Sequence, residues 1–367
     1  MPTEVLSPQA LNRATLARQL LLTREKMTVP RAVEHLVGLQ AQLARPPYLA
    51  LWSRLQGFQR DQLTKPALQR TLVRGTMMRG TLHLMSAKDY LRYRDLFRPL
   101  LTAAMRSVLK ERAAALDLPA LLATAKPFLD GKAHTFEDVR AHLMKHHVDG
   151  DERAMGFATR MLLPLIQVPE EGLEWGWPGN ACFTLAESWL GGKLSTDDDA
   201  SPLVVRYLAA FGPATVADMQ AWSGLKPLKD AFEKVRGKLV EFRDEKKRVL
   251  FDLPRAPRPP EETPAPVRFL PDFDNLILSH ADRTRVVPEE HRAKLSTQNL
   301  RVLNVFLVDG RTAGTWTPER KKGTATLVCK AFAPLKKPVR DALAQEGEDL
   351  LRFSDPDASS VAVTFAK

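Results

Sequence analysis

The stretch GPATVADMQAWSGL, residues 212–225, decides how this chain is read. Thr215 stands where a helix N-cap belongs, its hydroxyl able to satisfy an unpaired N–H of the first turn. Gly224 stands where a helix must stop, because glycine takes the left-handed backbone at little cost. The neighbours complete the pattern. SPLVVRYLAAFG (201–212) is apolar at helical spacing, PLKDAFEKVRGKL (227–239) reads as a further helix, and LVEFRDEKKRVLFDL (239–253) as a β-hairpin. Short helices followed by a hairpin describe a winged helix.

The order recurs upstream. Thr135-Phe136-Glu137-Asp138 opens like a capping box, with helices expected over about 136–147 and 152–163 and a hairpin in LIQVPEEGLEWGWPGNACFTL (165–185). Before that, SPQALNRATLARQLLL (7–22) offers Ser7 as N-cap and Pro8 as a first-turn proline. Leu11, Leu16, Leu20 and Leu21 mark its apolar face. A second helix runs from Val29-Pro30 to about Gly38, a third follows Pro46-Pro47, and TLVRGTMMRGTLHLM (71–85) reads as a hairpin. The expected architecture is α+β: three tandem winged-helix units at 1–130, 131–195 and 196–253, then a C-terminal β-rich, barrel-like domain at 267–367. Six prolines between 254 and 266 predict a semi-rigid linker. Asp309-Gly310, between β-prone runs, marks a tight hairpin.

At 367 residues the chain has room for two to four domains, and 44% hydrophobic with 26% charged residues is ordinary for a globular protein. The net charge of +11 and pI near 9.7 favour a polyanionic partner, most simply nucleic acid; a solvated basic surface is the bland alternative. Two distant cysteines, Cys182 and Cys329, exclude a cysteine-built zinc site and a disulfide scaffold. The N-terminal residues have no signal-peptide core, and no run approaches the roughly 20 apolar residues of a membrane span. The expectation is a cytoplasmic protein without metal or organic cofactor.

GLQAQLARPPYL (38–49) puts Gln40 and Gln42 two apart in an apolar segment. On a helix such residues diverge; in extended backbone they share a face. Pro46 biases Arg45 away from helix, so both amides can converge on one pocket, or one caps a helix end while the other faces solvent. Amides are no general base of ordinary strength. They can orient water and stabilise positive charge, which suffices when the leaving group is activated, as a cationic alkylated purine is.

The segments LVGLQAQ (36–42), RGTLHLMSAKDY (79–90), GPATVADMQAWSGL (212–225), LPDFDNLILSHADRTRVVP (270–288) and VDGRTAGTW (308–316) resemble, in this order, the AlkZ-like tandem winged-helix DNA glycosylases, which include azinomycin-resistance and crosslink-unhooking enzymes. That family's hallmark is glutamine, an aliphatic residue, then glutamine or aspartate; here it is Gln40-Ala41-Gln42, with the smallest aliphatic choice. The resemblance implies a positively charged channel for duplex DNA bearing an alkylated purine. Gln40 and Gln42 would position the water that attacks C1′, leaving an abasic site, with N7-alkylpurines, bulky adducts or crosslinks as substrates and a monomer as the working form.

Other residues carry two readings each. His83 orients a glutamine, contacts DNA, or is structural. Arg79 binds phosphate or is a surface charge. His280, Asp282 and Arg283 close the channel or merely fix the C-terminal domain. Trp175 and Trp177 form a DNA-probing wedge or belong to the core. Lys246, Lys247 and Arg248 at a wing tip touch phosphate or lie in a solvated turn. Against the glycosylase reading stand a non-catalytic DNA-binding regulator and a genotoxin-resistance binding protein, neither of which needs the glutamine pair.

Overall fold

The computed structural model describes residues 4–295 and 302–366. Its strands in chain order are β1 (Val5–Leu6), β2 (Leu39–Gln40), β3 (Leu72–Thr76), β4 (Leu82–Ser86), β5 (Leu165–Gln167), β6 (Phe183–Leu185), β7 (Val240–Asp244), β8 (Val249–Asp252), β9 (Arg268–Leu270), β10 (Val305–Val308), β11 (Arg311–Lys321), β12 (Thr324–Ala331) and β13 (Ser360–Ala366). They form three sheets, ordered β2-β4-β3-β5-β6, β1-β7-β8 and β13-β12-β11-β10-β9.

The stretch at 212–225 folds as a helix Val216–Ser223 closed at both ends. Asp218 N donates to Thr215 Oγ1 at 3.0 Å and Thr215 N to the Asp218 carboxylate at 2.9 Å, so each orphan donor finds an acceptor. Gly224 ends the helix at φ 82°. A Cβ there would stand 3.0 Å from Leu100 and 3.5 Å from the Arg79 Cα, so this glycine also permits a close approach to the first hairpin. The helices Ser201–Phe211 and Lys229–Val235 flank it, and β7 and β8 follow as the hairpin. The N-terminal β1 adds to β7 in parallel.

Upstream, the capping box at Thr135 starts the helix Phe136–His146. The helix Glu152–Leu162 and a helix that periodicity left unassigned, Leu118–Leu129, pack with it through Leu121, Ala125, Val139, Leu143, Ala154 and Ala158. Another unassigned helix, Arg98–Leu109, joins the same core. The hairpin β5–β6 is not a free wing. β5 pairs antiparallel with β3, Arg74 opposite Gln167 and Gly75 opposite Ile166, so the β3–β4 and β5–β6 hairpins share one sheet. The physical reason is burial: Leu165, Ile166 and Gln167 are all enclosed, and a fully enclosed strand needs a partner for its backbone groups.

The first helix, Pro8–Arg18, begins as expected, Ala10 N donating to Ser7 Oγ at 3.0 Å. The proline-rich linker lies strapped along it: Arg13 Nε donates to the Thr263 carbonyl at 2.6 Å and Arg18 Nε to that of Pro257 at 3.1 Å. Beyond the linker the barrel expectation gives way to an open sheet, whose edge strands β9 and β13 have one neighbour each. The long helix Lys337–Ser354 sends the chain from β12 to a parallel β13 and covers the sheet with Leu343, Leu350 and Leu351. Such a crossover extends a sheet without closing it. Phe269, Phe306 and Trp316 of this sheet share one core with Leu36, Leu51 and Trp52 of the first unit. No helix among the described residues is long and apolar enough to cross a membrane.

Candidate active site

Gln40 and Gln42 owe their place to a sharp stop. The helix Val29–His35 ends in two left-handed residues, Val37 at φ 55° and Gly38 at φ 88°. A Cβ on Gly38 would lie 2.2 Å from the Met85 sulfur and 3.1 Å from the Leu84 carbonyl, and φ 88° strains any other residue, so glycine is favoured. The chain leaves this turn extended, as β2 at the edge of the sheet. Gln40 pairs with His83, and Ala41 N donates to the Leu82 carbonyl at 2.7 Å.

Two polar side chains lock this edge. Arg74, buried in β3, donates to the carbonyls of Ala41 at 2.8 Å and Gln42 at 3.0 Å. Asn275 Nδ2 donates to the Gly38 carbonyl at 2.6 Å. Asn275 follows Asp274, which accepts both terminal nitrogens of the fully buried Arg54 at 2.8 Å. The segment after the linker thus holds the glutamine strand from behind. The sequence reading missed these anchors; the signal for Arg74 was an arginine inside the apolar run LVRGT.

The two amides meet the same turn, between β3 and β4. Gln40 is buried, and its Oε1 accepts from Arg79 Nη2 at 2.7 Å. Gln42 is exposed, and its Oε1 accepts a long 3.4 Å bond from Leu82 N. Arg79 sits at φ 55°, a left-handed conformation rare for a bulky residue. It is held there by a hydrogen bond from Nη1 to the Trp222 carbonyl, at the end of the helix Val216–Ser223. Burial, with Arg283 adding its own charge, lowers the Arg79 guanidinium to about 10. Burial next to Arg160 does the same to Arg74.

His83 is enclosed directly across from Gln40. Burial and the neighbouring Arg79 charge push its imidazole down to about 3, so it is neutral at physiological pH. Its Nδ1 faces the Thr81 carbonyl at 3.0 Å; a carbonyl only accepts, so Nδ1 carries the proton and Nε2 a bare lone pair.

The remaining candidates separate. His280 is a structural histidine, Nε2 donating to the Phe211 carbonyl at 3.0 Å and Nδ1 accepting from Ser279 Oγ at 2.8 Å; burial beside Arg285 keeps it neutral. Asp282 takes Lys246 at 2.7 Å and Arg248 at 2.8 Å, which ties the third unit's hairpin to this loop. Lys246 and Arg248 are therefore neutralised at the wing tip, whereas Lys247 is exposed at φ 63°. Arg283 is exposed, and its charge reaches Arg79. The tryptophans are not a free wedge. Trp177 is a core residue donating from Nε1 to the Gln167 carbonyl at 3.2 Å, and Trp175 is half-buried under Arg60 with the Tyr48 ring at 5.2 Å. An exposed basic tip on the β11–β12 hairpin, Arg320 to Lys322, went unremarked in the sequence because charge runs in turns are common.

A mixed α+β scaffold with a strong positive charge and paired amides backed by arginines has the makings of an enzyme that acts on nucleic acid. The family model "DNA glycosylase AlkZ-like" matches residues 33–353, and the chain belongs to that family of DNA glycosylases. It is 27% identical over 331 residues to an interstrand DNA cross-link repair glycosylase of Streptomyces sahachiroi, covering 82% of this chain and 85% of that protein. Its fold matches that of Streptomyces sahachiroi DNA glycosylase AlkZ with a TM-score of 0.79 at 24% identity, over 99% of this chain and 100% of the other.

Proposed function

We propose that this glycosylase is monofunctional and excises cationic, N7-alkylated purines from duplex DNA, using water held by Gln40 and Gln42. The observation that carries this reading is the composition of the site. Its two acceptors are amide oxygens on one turn, and the imidazole opposite Gln40 is neutral. Nothing in that set donates a proton to a leaving base, and a cationic purine needs none.

The N-glycosyl bond breaks with its electron pair going to the base, which neutralises the purine's charge. Positive charge develops at C1′ and the ring oxygen. The amide oxygens face that charge with the negative ends of their dipoles and orient a water for attack. The water oxygen bonds to C1′, its proton passes to solvent, and an abasic site remains. The hallmark Gln-Ala-Gln and the relative named for cross-link repair extend the substrate class to bulky or crosslinked adducts. Three winged-helix units presenting a basic channel, and a monomer, complete the proposal.

The test is base release from a duplex holding one N7-methylguanine, with Gln40→Ala and Gln42→Ala alongside. Release by the wild type and its loss in the variants is expected. Binding without release from either methylated or crosslinked DNA would instead favour a non-catalytic regulator or resistance protein.

A further inference from the structure

Arg79 spends two of its N–H groups inside the protein, on Gln40 Oε1 and the Trp222 carbonyl. A guanidinium has five, so three remain. Among the described residues no carboxylate pairs with Arg79, or with the exposed Arg283 in the loop tied to the helix Val216–Ser223 that Arg79 also meets. Their neighbour Asp282 is the obvious counter-ion, yet Lys246 and Arg248 already hold it. Its backbone is pinned too: Ala281 N donates to the Asp218 carboxylate at 2.9 Å and Asp282 N to the same oxygen at 3.4 Å. The loop is therefore fixed with Arg283 outward and its nearest acid engaged elsewhere.

The fully enclosed Arg18 and Arg54 are treated differently. Arg18 forks onto Asp252 and Arg54 onto Asp274; Arg74 and Arg94, which also lack a carboxylate, are enclosed and donate to backbone carbonyls, whereas Arg79 is only partly enclosed. Two like charges on segments tied to one helix, one of them partly enclosed, raise the free energy of the empty site, and an anion between them lowers it. The forked geometry of arginine suits a phosphate.

We propose that Arg79 and Arg283 form a seat for one phosphodiester of the DNA backbone beside the lesion. Through the same guanidinium Arg79 holds Gln40, so the seated phosphate registers the strand to the amide. The helix end at Trp222 completes the seat from the third unit. The DNA ligand rests on the function proposed above; the test reads binding rather than base release, so the two can fail separately.

The probe is a duplex with a tetrahydrofuran abasic analogue, in which each phosphate near the analogue is replaced in turn by a neutral methylphosphonate. Wild-type affinity is expected to drop about tenfold at one position, the worth of a charge-assisted contact. Arg283→Gln should lose about the same on the unmodified duplex and be indifferent to the methylphosphonate at that position. Arg79→Gln should behave likewise, and Arg79→Lys should keep the sensitivity. Thermal unfolding checks that each variant is folded, and the exposed Arg283 keeps the test open if Arg79→Gln is not. Additive losses at every position, or no binding at all, overturn the proposal. Inorganic phosphate at constant ionic strength is the second arm: competition by it without a methylphosphonate penalty anywhere assigns the seat to a free anion and also overturns it.

Discussion

Arg54 and Arg79 are treated in opposite ways. Arg54 is completely enclosed, and Asp274, equally enclosed, takes both of its terminal nitrogens. Arg79 meets only neutral oxygens inside the protein and a second positive charge outside. The first arrangement is complete without a ligand, whereas the second gains from a negative charge that arrives. A net charge of +11 spreads over both kinds of arginine, and only the partners tell them apart.

The contrast breaks most visibly at Arg54. Arg54→Ala leaves Asp274 buried and uncompensated, and the expected loss is about 3–5 kcal/mol of stability, read as a fall in denaturation midpoint. A loss under about 1 kcal/mol would mean that the pair is not architectural. Gln40→Ala should do the reverse. Base release under single-turnover conditions should fall roughly 100- to 1,000-fold, the usual effect of removing one positioned polar group, while the unfolding midpoint changes little.

Acid sharpens the comparison further. His83 takes a proton near pH 6.5 in the unfolded chain but only near 3 when folded. Its contribution to stability is whole above pH 6.5 and shrinks as the pH drops toward 3, by about 1.4 kcal/mol per pH unit inside that window. His280 acts in the same direction. Unfolding midpoints measured from pH 7 to 4 should fall accordingly, and less steeply in His83→Gln. Base release should stay level between pH 6 and 8.5, since His83 stays neutral and Arg79 charged throughout; a bell-shaped profile would point to a titrating acid or base in the site. The smallest change is expected at the wing. Asp282→Ala removes two partly exposed ion pairs, a loss of about 1 kcal/mol or less in thermal unfolding.

Local signals made much of this molecule legible. Ser7, Thr135 and Thr215 cap helices where their sequence places them, because a cap is decided within four residues. Asp309 and Gly310 turn with positive φ at both positions, as a two-residue hairpin requires. The glutamine pair was findable because glycine and proline bracket it. What stayed hidden depends on distant partners: the merging of β5 onto β3, the open rather than closed C-terminal sheet, and the strapping of the linker to the first helix. Within the site, Arg74 and Asn275 act through contacts 33 and 237 residues away in sequence, which no local pattern encodes. Trp177 shows the converse: a conspicuous aromatic in a turn-rich stretch is simply core.

The shared sheet has a further consequence, for how the protein can be divided. The chain reads as a string of modules, yet β5 completes the side of β3 that faces away from the glutamine strand. A fragment ending before β5 would leave β3 with a bare row of N–H and C=O groups, a template for self-association. The proposed Gln-Ala-Gln motif occupies three residues, but the smallest piece of polypeptide able to display it without aggregating must include β5 as well. Grafting or trimming this enzyme has to respect hydrogen-bonded edges rather than the repeats visible along the chain.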